Sequence, residues 1–510
     1  MPPPRASNRI ALAFVACLVA LTWFQRPVQN PNENSRLAPV LAAFWNRTLQ
    51  IDPYHAVRPT WTSDKSVRDG HVYSDKAPGS SLLAALGYAP VYAWERFTGR
   101  EISYVAGKQA MTVAAVGIPL AAALAALFAL VAAAAGARRA AAVTAVALLA
   151  TPLLPFGSTL FGHALAGALL FLAFALVRHA TGRPPPTRRR DLAGAGALLG
   201  LVAITEFPAA PAGLLVVAYG LHRLARRGEL GRARTWVAPL LGGAPFLAAL
   251  ALWNWACFGS PFSIGYENLA VPGFRRLHEA GLVGVRLPSL TTAYYVTLHP
   301  ARGLFVTAPI LLLAFPGLVA MVRRGWKAEA ALCLGVFVSV LLVNAGFPLW
   351  WGGYTYTARH LVPAVPFLLL PLAFLGARWR WVAIPLVLAA AVQTLAAAAG
   401  DPFARDWALV RLIRAARQTG DAVIAWGAWS FTGDVWPRLM ARAPDGRWIG
   451  FSPNWGRLLG LTGPASVLAM VAASLALLAA AGRSARTRVV RRAAERPALA
   501  RREAPQEGVT

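Results

Sequence analysis

Apolar runs of roughly 16 to 28 residues, the length that one helix needs to cross the hydrocarbon of a bilayer, recur along most of the chain and are broken by short polar connections. The runs are rich in Ala and Leu and do not alternate, so they predict helices rather than a barrel. The first covers Ile10 to Phe24 and reads as an uncleaved anchor, because no small-x-small site follows and Trp23 and Phe24 resemble an interfacial belt. A polar stretch follows from Gln25 to Tyr104. Within it, Leu37, Val40, Leu41, Phe44 and Leu49 have the spacing of an amphipathic helix over Ser35–Leu49 lying on a membrane surface. Ser80–Phe97 is apolar but better placed on the surface than across the bilayer. Only then does the run Ala106–Ala135 bring Arg138 and Arg139 to the same side as the later basic loops. Further spans are expected near 140–155, 159–178, 191–205, 207–222, 236–256, 303–322, 329–346, 361–376, 380–397 and 463–482. This gives an all-α polytopic membrane protein with about twelve transmembrane helices.

Composition supports this class. The chain is 57% hydrophobic with a mean hydropathy of +0.50, and only 14% of its residues are charged, against about 25% in a soluble domain. The net charge of +29 would suggest nucleic acid on a soluble protein. Here the arginines concentrate in the short connections around Arg178 and Arg188–Arg190, Arg223–Arg232, Arg323–Lys327 and Arg378–Arg380, and in the tail from Arg483. That is a topology signal plus attraction to anionic lipid, and no nucleic-acid partner is expected. It predicts cytoplasmic termini and an outer face carrying the longer loops, which are rich in Gly, Pro, Trp and Tyr. Cys17, Cys257 and Cys333 are far apart and fit neither a disulfide framework nor a metal site. The Ala/Arg-rich composition suggests a bacterial inner membrane.

The unusual polar residues gather on the expected outer face. The first loop supplies Glu33, Asp64, Asp69, Tyr73, Asp75 and Lys76; other connections supply His163, Glu206, Tyr266 and Arg302. A last connection supplies Trp350, Trp351, Tyr354, Arg359 and His360. Singly, each has a plainer reading: Glu33 as a helix-start acid, Lys76 as a snorkelling lysine, the tryptophans as interface anchors. Ionisable residues at helix ends near the membrane, such as His163 and Glu206, default to function. Together they fit an enzyme that uses a polyprenyl-phosphate sugar. Lys76, Arg359 and Arg302 could hold the phosphate. Glu33, Asp64, Asp69 or Asp75 could take a hydroxyl proton. Trp350, Trp351, Tyr354 and Tyr266, with Tyr73 and His360 nearby, could seat a sugar.

At residues 9 to 376 the layout resembles the GT-C superfamily of integral membrane glycosyltransferases, a group that includes protein O-mannosyltransferases and aminoarabinose transferases. Asp75-Lys76-Ala77-Pro78 resembles that group's late-loop Lys-Pro motif, with Ala77 inserted. Arg359-His360-Leu361-Val362-Pro363-Ala364-Val365-Pro366 resembles its Arg-Tyr-Leu-x-Pro-x-x-Pro run, with His for Tyr. The resemblance implies a GT-C-like fold with a long first periplasmic loop carrying surface helices. It implies inverting sugar transfer from a polyprenyl phosphate, with Glu33 in the position of the catalytic acid. The usual paired acids at the loop start are missing, since Glu33 is flanked by asparagines. The resemblance therefore leaves Asp64 and Asp69 as alternative bases and a divalent cation open. A transporter or flippase of lipid-linked sugar, and a non-catalytic assembly subunit, are the rival readings. Residues 398–462 form a Trp-rich outer loop, and 483–510 a basic cytoplasmic tail.

Overall fold

The structure, a computed structural model, describes residues 4–27, 30–231, 234–279, 281–353, 355–403 and 435–483. Much of the expected Trp-rich loop and nearly all of the tail lie outside the described residues. Among the described residues the only paired strands form one two-stranded antiparallel hairpin, and nearly everything else regular is helical. Among the described residues six helices are long and apolar enough to cross a membrane: Tyr104–Ala135, Gly162–Ala180, Thr235–Phe258, Lys327–Ala345, Ala377–Ala399 and Gly463–Gly482. Ala6–Thr22, Pro309–Arg323 and Arg359–Phe374 are apolar but shorter. The chain is a multi-pass, all-helical membrane protein.

Prolines explain why two expected spans are not single helices. Around 303–322 the chain forms Leu304–Thr307, a 3-10 turn from Pro309, and then Ala314–Arg323. The segment after Arg359 changes helix type twice, at Ala364 and Leu370, with Pro363, Pro366 and Pro371 inside it. A proline removes one backbone donor and clashes with the preceding turn. Burial makes this tolerable: every residue from Leu361 to Phe374 is buried, so packed neighbours hold what the ladder does not. Phe171, Phe174 and Phe367 meet edge to face or tilted at 5.3–5.9 Å in this core.

Where apolar packing gives little drive in lipid, small residues let helices approach. Pro185–Ala203 lies against Arg234–Phe258 in this way. A Cβ at Gly196 would collide with the backbone of Pro239.

The first loop is not a surface appendage. Its helix begins at Pro31, capped by Asn30, whose side chain accepts from Asn32 N. Eight consecutive residues, Glu33 to Val40, are buried, so the first part of the expected surface helix Ser35–Leu49 is enclosed, polar groups included, while Ala43 and Trp45 to Arg47 are exposed. The strands Lys65–Arg68 and His71–Ser74 pair in register, Lys65 opposite Ser74, around a tight turn at Asp69-Gly70. Both turn residues have positive φ, 50° and 80°, the geometry for which Asp-Gly is suited. The chain then enters the helix Gly79–Thr98. This helix packs on the start of Tyr104–Ala135 and leaves Leu86 and Phe97 exposed.

Candidate active site

Segments distant in sequence converge on one cavity of about 680 Å³. The helix Pro31–Leu41 contributes Asn32 and Arg36. The end of the hairpin contributes Asp64, Lys65, Asp75 and Lys76. The start of Gly162–Ala180 and the turn before Phe207 contribute His163 and Glu206. Trp351, Arg359 and His360 complete the polar lining, with Tyr266 alongside. Gly79 helps deliver the hairpin: its N–H donates to Ile204 O at 2.6 Å, and a Cβ there would strike Thr205. Gly162 does the same for Glu206, because a Cβ would run into that carboxylate.

The ion pairs are specific. Lys76 Nζ lies 3.0 Å from Asp64 Oδ2 and 2.8 Å from Asp75 Oδ2. Ser35 Oγ donates to the other Asp75 oxygen at 2.8 Å, and Asn32 Nδ2 to Asp64 Oδ2 at 3.3 Å. Burial alone would push Lys76 down, but Asp64 and Asp75 outweigh it and hold its ammonium above the ordinary lysine range. Burial likewise would raise Asp64, yet Lys76, then Arg359 and Asn32, keep it below the usual carboxylate range. Both groups are therefore ionised near neutral pH. Tyr266, buried beside them, is pushed up to about 12 and keeps its proton. Arg36 Nη2 pairs with Glu206 Oε1 at 2.8 Å, and His163 Nδ1 stands 3.6 Å from the same oxygen.

Arg359 is different. Its guanidinium rests over the Phe161 ring at 4.8 Å, and among the described residues no carboxylate lies within ion-pair distance of it. Its Nε is buried without a hydrogen-bond partner. A cation that no carboxylate contacts can attract an anion. The cavity also has apolar lining, from Pro208, Pro211, Val340, Val343 and Phe347.

Several residues singled out in the sequence lie elsewhere. Glu33 is 0% exposed and does not line the cavity: it pairs with Lys108 Nζ at 2.8 Å and accepts from Leu160 N at 2.8 Å. The acid expected as base is thus enclosed and set apart from the cavity lining. Asp69 projects from the hairpin tip with its side chain 81% exposed, beside Arg68. Arg302, 1% exposed, gives its guanidinium to the carbonyls of Trp351, Gly353 and Thr355. It shapes the loop that presents Trp351 instead of facing a phosphate. Trp350 stacks on Tyr295 at 5.1 Å, and Tyr73 packs against Phe258 at 6.0 Å. Tyr354 lies outside the described residues.

Arg36, Asn32, His278 and Asn344 line the cavity and were missed. The Asn30-Pro31 pair, an N-cap followed by a proline at N1, was a readable signal that the helix starts early enough to carry Asn32 and Arg36. Among the described residues no group of three His, Cys, Asp or Glu side chains is arranged to hold a metal ion.

No family model matches the chain, and no curated protein matches it. Among solved structures it is similar to ArnT from Cupriavidus metallidurans. It is 16% identical to the crystal structure bound to undecaprenyl phosphate, over 98% of this chain and 80% of that one, with a TM-score of 0.44. To the apo crystal structure it is 17% identical over 93% and 76%, with a TM-score of 0.46. With TM-scores below 0.5 neither likeness carries an argument, and function is a matter for the cavity.

Proposed function

We propose that this protein transfers a sugar from a polyprenyl-phosphate donor to an acceptor hydroxyl, at the outer face of a bacterial inner membrane with both termini cytoplasmic. The observation that carries the reading is Arg359, a cation without a carboxylate partner in a cavity that also holds Lys76 and has apolar walls. Arg359 and Lys76 hold the phosphate and stabilise the charge it gains on leaving. The apolar side, built from the ends of the helices that carry Pro211, Val340 and Val343, takes the first units of the lipid. Asp75, fixed by Ser35, keeps Lys76 charged and aimed. Of the four acids proposed as base, Asp64 and Asp75 line the cavity; both oxygens of Asp75 are engaged, by Ser35 and Lys76, which leaves Asp64. Its Oδ2 is committed to Lys76 and Asn32, while Oδ1 receives only a 3.4 Å contact from Ser63. As the acceptor oxygen bonds to the anomeric carbon and the bond to phosphate breaks, the hydroxyl proton passes to Oδ1 and the configuration inverts.

The test is binding and consumption of labelled polyprenyl-phosphate sugar by purified protein in lipid nanodiscs. Wild type is expected to bind and consume donor, and Lys76→Ala and Arg359→Ala to lose both. Binding without consumption under any acceptor tried would favour a flippase or an assembly subunit. Unchanged turnover in both variants would refute the site.

A further inference from the structure

One buried donor in the cavity has no role in holding phosphate. Asn344, at the end of Lys327–Ala345, is 3% exposed and lines the cavity. Its Oδ1 is met by His360 Nδ1 at 2.9 Å, and its Nδ2 has no hydrogen-bond partner. An unpaired buried amide donor is costly, and a ligand oxygen would relieve it. The pairing with an amide oxygen assigns the proton of His360 to Nδ1 and leaves a lone pair on Nε2. Asn344 and His360 therefore offer one donor and one acceptor, the complement of a hydroxyl group. His360 follows Arg359 directly in the chain, so this pair lies beside the anion site. Its ring meets Phe347 at 5.8 Å and His163 at 4.9 Å, and Trp351 lines the same cavity. A hydroxylated ring has aromatic surface to lie against.

The charges narrow the class of sugar. Asp64 and Asp75 are both engaged by Lys76, and Glu206 by Arg36. A cation touches each of these three carboxylates, and the lining holds four cations, Arg36, Lys65, Lys76 and Arg359, so its balance is positive. A cationic amino sugar would add to that excess and would lie near Arg359.

We infer that Asn344 and His360 form the sugar subsite and that the transferred sugar is a neutral, hydroxyl-bearing one. This rests on the proposed donor chemistry and deepens it. Binding of three lipids to the full chain in nanodiscs separates the two claims: bare polyprenyl phosphate, the same lipid carrying a neutral hexose, and the same lipid carrying an aminopentose. Wild type is expected to bind the hexosyl lipid about tenfold tighter than the bare one, the worth of one to two good hydrogen bonds. The aminopentosyl lipid should bind no tighter than bare. Asn344→Leu should erase the hexose advantage and leave bare-lipid affinity unchanged, and Asn344→Asp should weaken the hexosyl lipid. A hexose advantage that survives Asn344→Leu, or tightest binding of the aminopentosyl lipid, would overturn the subsite. If bare lipid fails to bind wild type, the phosphate reading itself fails. If Asn344→Leu loses bare lipid as well, Asn344 supports the fold of the cavity and the subsite is likewise rejected.

Discussion

The helix Gly162–Ala180 joins two polar clusters that solve opposite problems. At its start are His163, Glu206 and the cavity. Near its other end, about 22 Å away along the axis at 1.5 Å per residue, Arg178 and Arg223 both lie 3.3 Å from Glu329 Oε1, and Tyr219 donates to the same oxygen at 2.9 Å. Arg178 also stands over Trp326 at 4.3 Å. That second end is richer in arginine, and the neighbouring Arg189, Arg190, Arg226 and Arg227 are exposed. Its surplus charge is dispersed into solvent or lipid head groups. At the cavity end Arg359 is half-buried, lies against the Phe161 ring and has no carboxylate in contact. The number of cations does not mark a site; a half-buried cation that no carboxylate touches does.

The sharpest test of the cavity end is its hidden foundation. Glu33 and Lys108, at 0% and 2% side-chain exposure, form a buried pair behind the cavity. Lys108→Met should leave a buried carboxylate without its cation and destabilise the protein by about 3–5 kcal/mol. It should be read as a large drop in apparent melting temperature in detergent. Adding Glu33→Gln should recover much of the loss, because the cost lies in the unpaired charge. If Lys108→Met is tolerated while Glu33→Gln alone abolishes transfer in a folded protein, Glu33 is catalytic after all.

Next in size is Arg359→Ala. Removing one group that stabilises a developing oxyanion costs about 10²–10³ in rate, and transfer should fall by that much with little change in melting temperature. The matching change at the far end is Glu329→Ala. Its arginine partners are about a third exposed, so the pair is worth little beyond a surface interaction, about 1 kcal/mol once screening is counted. It should shift melting modestly and leave donor affinity of the folded protein intact. Equal effects of the two changes on donor binding would erase the distinction between the ends.

Legibility in the sequence followed the same division. The long apolar helices were plain from composition. So was the convergence of Asp64, Asp75, Lys76, His163, Glu206, Tyr266, Trp351, Arg359 and His360 as candidates on one side. Partner choice was not. Glu33 looked like a base because it follows the first helix, and its neutralisation by Lys108, on the next long helix, has no local signature. Arg302 looked like a phosphate ligand because nothing in the sequence shows that backbone carbonyls of residues 351–355 lie within its reach. Asp69, in contrast, could have been read correctly. Asp-Gly between short alternating runs is a hairpin signal, and a turn tip is a poor place for a base. The buried amide of Asn344 was one more polar residue at a helix end until its neighbours were known.

The smallest expected effect concerns pH, and it is informative because it should be almost nil over a wide range. Asp64 is held below its ordinary value, so its contribution to stability is present above about pH 4, the unfolded carboxylate value, and is lost as pH falls through the lower folded value. Lys76 is held above its ordinary value, so its contribution is complete below about pH 10.4 and is lost as pH rises through the higher folded value. Between about pH 5 and 10 neither group changes charge on unfolding, and the pair Lys76 and Asp64 should add no slope to stability or to bare-lipid affinity. A transition in this range would come from a group outside that pair. Stability and bare-lipid affinity of wild type and Asp64→Asn should therefore be compared over it. A wild-type midpoint that disappears in Asp64→Asn would show that Lys76 does not hold Asp64 ionised, and with that the cavity would lose the balance that leaves Arg359 without a carboxylate in contact.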